Sequence, residues 1–180
     1  MDTLAHGFWG GILSKILNKK FKLKISFWKT FLWSMFPDVF AFALLFGFMI
    51  WNALSGNGLP LHKEALSEPT QHDTFPIHQI THILYSISHS LIIFVVFFGV
   101  VWLIFKRPLW ELTGWLLHIL FDIPTHSYSF YPTPFLWPLS DWKFNGISWA
   151  TPWFMVLNYG ALVAVYCILY ILRPEKAEQR

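Results

Sequence analysis

Apolar positions along the chain come in long runs rather than in alternation or narrow stripes. Residues 83–105 and 152–172 contain no Asp, Glu, Lys or Arg, and residues 31–51 contain one, Asp38, directly after Pro37. Each run reaches the ~20 residues an α-helix needs to cross a ~30 Å hydrocarbon layer. A shorter apolar run, 109–123, follows the Lys106-Arg107-Pro108 turn, holds Glu111 and Asp122 near its ends, and predicts a return across the membrane. Residues 3–17 predict a helix of about 22 Å, short or half-inserted, whose start sits inside the bundle. Its lysines follow the apolar run instead of preceding it, which argues against a cleaved signal peptide. The pattern predicts an all-α fold: a polytopic helical membrane bundle with four transmembrane spans plus a short N-terminal membrane-inserted helix, one domain over 1–180.

Composition narrows the class. Of 180 residues, 55% are hydrophobic, 20% aromatic and 13% charged, against about 25% charged in a soluble domain. Eleven Trp and nineteen Phe exceed what one soluble core would bury. A disordered chain and a soluble domain are excluded, and the lone Cys167 excludes a disulfide scaffold. The charges that remain set orientation. Lys15, Lys19, Lys20, Lys22, Lys24 and Lys29 lie between the first segment and the 31–51 run, Lys106 and Arg107 between the second and third spans, and Arg173, Lys176 and Arg180 in the tail. All three groups fall on one side, which short-loop Lys and Arg mark as cytoplasmic. The pI near 9.0 is thus a topology signal, with no nucleic-acid partner implied. The opposite side receives residues 52–82 and 124–151.

An ionisable residue inside a span costs roughly 2.5–3.5 kcal/mol on insertion scales and marks a function or a partner. Asp38, His89, His118, Asp122 and His6 qualify, with Asp2 and His126 at the edges. Spacing adds to this. His118, Asp122 and His126 recur at four-residue intervals, as do Asp2 and His6, so each set shares a helix face. An imidazole and a carboxylate one turn apart can share a divalent ion with ~2.0–2.2 Å bonds. At 1.5 Å per residue, His6, His89, His118 and Asp122 fall in one layer, while Asp38 sits nearer the lysine side, at ~10 Å, if its helix starts near Phe31. Asp2 reads equally as an N-cap. His62, His72, His78 and His82 lie in or beside the polar outer loop and read as surface histidines, and Glu111 as a snorkelling or helix-start residue. Ser88-His89-Ser90 lacks the G-x-S-x-G elbow of a serine nucleophile and is expected inside a helix.

These motifs have an order: Asp2 to His6, Phe36-Pro37-Asp38, Ser88-His89-Ser90, Leu117-His118 through Asp122 with Thr125-His126, and Phe135-Leu136-Trp137-Pro138. Over about residues 1–150 the set resembles the YdjM-like family, bacterial inner-membrane metal-dependent hydrolases distantly similar to zinc-dependent phospholipases C. The resemblance implies a divalent metal of the zinc class, with Asp38, His89, His118, Asp122 and His126 as ligands or their supports, and His6 with Asp2 completing the cluster. It implies an inner-membrane location and a lipid or lipid-linked phosphoester as substrate, with Asp38 or Asp122 taking the proton of a metal-activated water. Tyr85-Ser86-Ile87-Ser88-His89-Ser90 departs from the family's H-R-G-x-T-H-S pattern. Two other readings stand beside it: a haem-binding protein ligated by His89 and His118, and a metal-ion or proton carrier.

Overall fold

The computed structural model describes residues 1–56, 76–129 and 131–171, and these are all-α. The helices are α1 (Thr3–Phe21), α2 (Phe27–Leu54), α3 (Pro76–Ser88), α4 (Leu91–Phe105), α5 (Thr113–Thr125), which a 3-10 turn at Trp110–Leu112 precedes, and α6 (Pro152–Ile171). Two of them, α2 and α6, are long and apolar enough to cross a membrane, and α3 with α4 makes a third if the pair, bent by 62°, is one span. The expected return span over 109–123 is the 3-10 turn and the 13-residue α5, about 20 Å of helix.

The 83–105 run was expected as one helix, and the structure breaks it at His89-Ser90. Ser90 causes the break: its Oγ accepts from Ile92 N (3.1 Å) and Ile93 N (3.2 Å), capping α4. The Ser90 hydroxyl also donates to Trp137 O, and Leu91 N donates to Phe135 O at 3.0 Å. The segment after α5 therefore holds the break open, and His89 stands between two helices instead of inside one.

Helices α1 and α2 form an antiparallel hairpin, and α5 lies alongside α2. Their contact is closer than side chains normally permit. A Cβ at Gly10 would stand 2.2 Å from Ser34 Oγ, and one at Gly114 would stand 2.4 Å from Thr30 O. Without a hydrophobic force between helices in lipid, such small-residue seams let backbones approach and make polar bonds. Here Ser34 Oγ donates to Gly114 O at 2.8 Å. Helix α6 packs on α1 through Trp9 Nε1 to Asn158 Oδ1 (2.9 Å) and Tyr166 OH to Phe8 O (3.1 Å). The segment after α5 folds back on it, with Gly146 N donating to His126 O (2.8 Å) and Trp149 N to Thr125 O (2.9 Å).

Candidate metal centre

The seam continues into the cluster by helical arithmetic. One turn from Gly10 is His6, one turn past Ser34 is Asp38, and one and two turns past Gly114 are His118 and Asp122. Residues at i and i+4 share a face, so the close approach that small residues permit brings four polar side chains together. His89 enters from the α3–α4 break.

Asp38, His89, His118 and Asp122 form a group whose ligand atoms all lie within 4.8 Å of one another. His89 Nε2 and His118 Nε2 are 3.0 Å apart. Asp122 Oδ2 is 3.1 Å from His118 Nε2 and 3.5 Å from His89 Nε2, and Asp38 Oδ1 is 3.5 Å from each. Four ligands around a tetrahedral ion with ~2.1 Å bonds stand about 3.4 Å apart. The five separations measured here, 3.0 to 3.5 Å, have that size.

Proton assignment follows from the partners on the far side of each ring. His118 Nδ1 donates to Ser34 O (2.7 Å), His89 Nδ1 to Tyr85 O (3.1 Å) and His126 Nδ1 to Tyr131 O (2.6 Å). A carbonyl only accepts, so each Nδ1 carries the hydrogen, and in the neutral ring each Nε2 presents a lone pair. Imidazoles that hold metals are oriented in this way. Asp122 divides its two oxygens. Oδ1 accepts from the Met1 ammonium (2.5 Å) and from His6 Nε2 (2.8 Å) and lies 3.4 Å from His126 Nε2. Oδ2 is buried with no hydrogen-bond partner, an arrangement a cation would satisfy.

The structure places the remaining candidates around this group. His6 stacks on His118 with ring centroids 3.7 Å apart, bracing Asp122 from the side away from His89. His126 caps the end of α5 and supports the same carboxylate. Asp2 sits apart: its Oδ1 caps α1 through Ala5 N (3.0 Å) and accepts from Tyr159 OH (2.8 Å). Asp38, expected on a different level, joins the cluster because α2 begins at Phe27, which puts it about 17 Å along the helix. Pro37 within α2 lacks an N–H and crowds the preceding turn, where Ser34 O turns to His118. His78, expected at the surface, is buried; His82 is half-buried, and His62 and His72 lie outside the described residues.

Sequence reasoning missed the supports. Thr3 Oγ1 donates to Asp38 Oδ2 at 2.7 Å. Tyr131, in a left-handed conformation (φ 42), turns its carbonyl to both His126 and Tyr85 OH (3.0 Å). Neither has a spacing signal, since both act through contacts between distant segments.

A cavity of about 460 Å³ reaches the cluster at Asp38 and His126 and is walled by Val39, Phe42, Phe46 and Met49 of α2. Asp38 is 12% exposed, whereas Asp122, His89 and His118 are fully buried. The 3.0 Å between the His89 and His118 nitrogens leaves no room for a porphyrin between them.

Comparison of the chain with protein-family models, curated proteins and solved structures finds no match in any of the three. The site therefore stands on its own geometry.

Proposed function

We propose that the chain is a membrane-embedded, metal-dependent hydrolase that cleaves a phosphoester of a lipid or lipid-linked substrate. The observation that carries the reading is the set of four converging acceptor atoms, on Asp38, His89, His118 and Asp122, at tetrahedral separations. Two imidazoles and two carboxylates suit a zinc-class ion. Such an ion, when bound, lowers the pKa of a coordinated water to about 7 and polarises a phosphoryl oxygen.

The protein side divides the work between the carboxylates. Asp122 is enclosed, with one oxygen held by His6 and the Met1 ammonium, so its part is to hold the ion. Asp38 reaches the cavity and has Thr3 on its second oxygen, so of the four it would be the one to leave the fourth position to a water and accept its proton, since an ion held by four side chains would have no position for water. An apolar-walled cavity ending on polar groups supports an amphiphilic substrate. The resemblance of the ordered motifs to the YdjM-like family supports the same chemistry and a multi-pass location in a bacterial inner membrane. Short-loop Lys and Arg support a cytoplasmic position for the lysine-rich side.

Metal analysis of detergent-purified protein tests the site: bound divalent metal is expected in the wild type and its loss in His118→Ala and Asp122→Ala. Equal content in all three refutes the centre. Metal-loaded protein that cleaves neither lipid nor soluble phosphoesters refutes the hydrolase and leaves a carrier.

A further inference from the structure

A second cavity, of about 360 Å³, lies at the lysine-rich end of the bundle, away from the cluster. Three elements build it: the α1–α2 loop with Lys24, the first two turns of α2 with Lys29 and Trp33, and the α4–α5 turn with Arg107, Trp110 and Glu111. None of the three cations has an ion-pair partner among the described residues. The one carboxylate in the lining, Glu111, faces Ser26 N at 3.5 Å, at the start of α2, where a helix N-terminus favours negative charge. Three positive charges and one carboxylate therefore line the cavity, a net charge of +2 (3 − 1).

We infer that this cavity binds the phosphate headgroup of an anionic membrane lipid. Like charges around a cavity repel one another, and an anion between them removes that cost. A phosphodiester brings one negative charge and acceptor oxygens for the two amines and the guanidinium. Membrane lipid is the source the lining favours over free phosphate. Ile25, Pro108 and Leu109 are apolar, and Trp33 and Trp110 are residues that settle at headgroup depth. The last turn of α4, which leads into the α4–α5 turn, is exposed around its circumference at Trp102, Leu103 and Ile104, so a lipid whose head is in the cavity has apolar surface nearby for its chains. The site is independent of the hydrolase reading, and neither depends on the other.

The test is native mass spectrometry of the full chain, titrated with phosphatidylglycerol after delipidation. The wild type should keep one phosphatidylglycerol tightly. Basic groups near a membrane surface contribute about 1 kcal/mol each, so the triple variant Lys24→Gln, Lys29→Gln, Arg107→Gln should bind on the order of 100-fold more weakly. A control triple, Lys19→Gln, Lys20→Gln, Lys22→Gln, removes the same charge outside the cavity and should bind as the wild type does. The charge-keeping triple Lys24→Arg, Lys29→Arg, Arg107→Lys should retain the lipid, which separates lost binding from lost fold. Equal loss in the control and cavity triples overturns the proposal. So does equal binding of phosphatidylcholine, and so does displacement of the lipid by inorganic phosphate at matched concentration, which would make this a free-anion site.

Discussion

Replacing Gly114 by Ala tests whether the helix seam, and not the ligands alone, sets the centre. The added Cβ would stand 2.4 Å from Thr30 O and 3.0 Å from Ser34 N, both backbone atoms that cannot rotate away. Restoring the first contact to 3.0 Å moves α5 away from α2 by at least 0.6 Å (3.0 − 2.4). Helix α5 carries His118 and Asp122, and α2 carries Asp38, so the shift separates members of the group proposed to hold one ion. Metal–ligand distances tolerate about ±0.2 Å. The expected cost is 1–3 kcal/mol of stability from overpacking, together with a 10- to 100-fold loss of metal affinity of the kind that support mutations produce. Thermal unfolding with and without metal, and competitive metal titration, read the two effects. Gly99→Ala and Gly160→Ala are the controls: a Cβ at either meets nothing within 4 Å, and Ala in a helix interior is favoured by about 1 kcal/mol. Wild-type metal affinity in Gly114→Ala, with the controls also unchanged, would refute the seam as the cause of the geometry.

Two further outcomes follow from the cavity and the break. Ala43→Trp, which fills the apolar-walled cavity from a position outside the candidate ligand set, should abolish turnover of a lipid phosphoester while metal content stays at the wild-type level. Ser90→Ala removes the cap of α4 and should cost about 1 kcal/mol; unchanged stability would mean that the segment after α5 alone holds the bend.

Legibility from the sequence differed by element. The four-residue intervals were visible for Asp2–His6 and for His118–Asp122–His126 because both partners of each pair are polar. The same interval runs on through Gly10, Gly114, Thr30 and Ser34, where small residues give no hydropathy contrast, so the seam that unites three helices was hidden. The break at His89 was hidden because a span and two capped half-helices of equal hydropathy read alike; only the cap geometry of Ser90 distinguishes them. Asp38 was misplaced by four residues of helix start, since the boundary at Ser26 is fixed by a weak cap, Lys29 N to Ser26 Oγ at 3.5 Å, and no charge or glycine announces it.

A hydrogen-bonded polar core with no ion is the competing account of the cluster, and counting donors weighs against it. The carbonyls of Ser34 and Tyr85 take the hydrogens of His118 and His89. With both rings neutral, what faces inward is two imidazole lone pairs with Asp122 Oδ2 and Asp38 Oδ1, four acceptors 3.0 to 3.5 Å apart along five of their six separations. The nearby donors are committed elsewhere: the Met1 ammonium and His6 to Asp122 Oδ1, Thr3 to Asp38 Oδ2. One proton placed on His89 or His118 makes one bond and leaves the other acceptors facing each other, at a cost of about 1–3 kcal/mol for each unsatisfied buried group. A divalent cation at the centre meets all four at once. Buried charge in a membrane is paired, and the Met1 ammonium pairs only Oδ1 of Asp122, which leaves Oδ2 for the proposed ion.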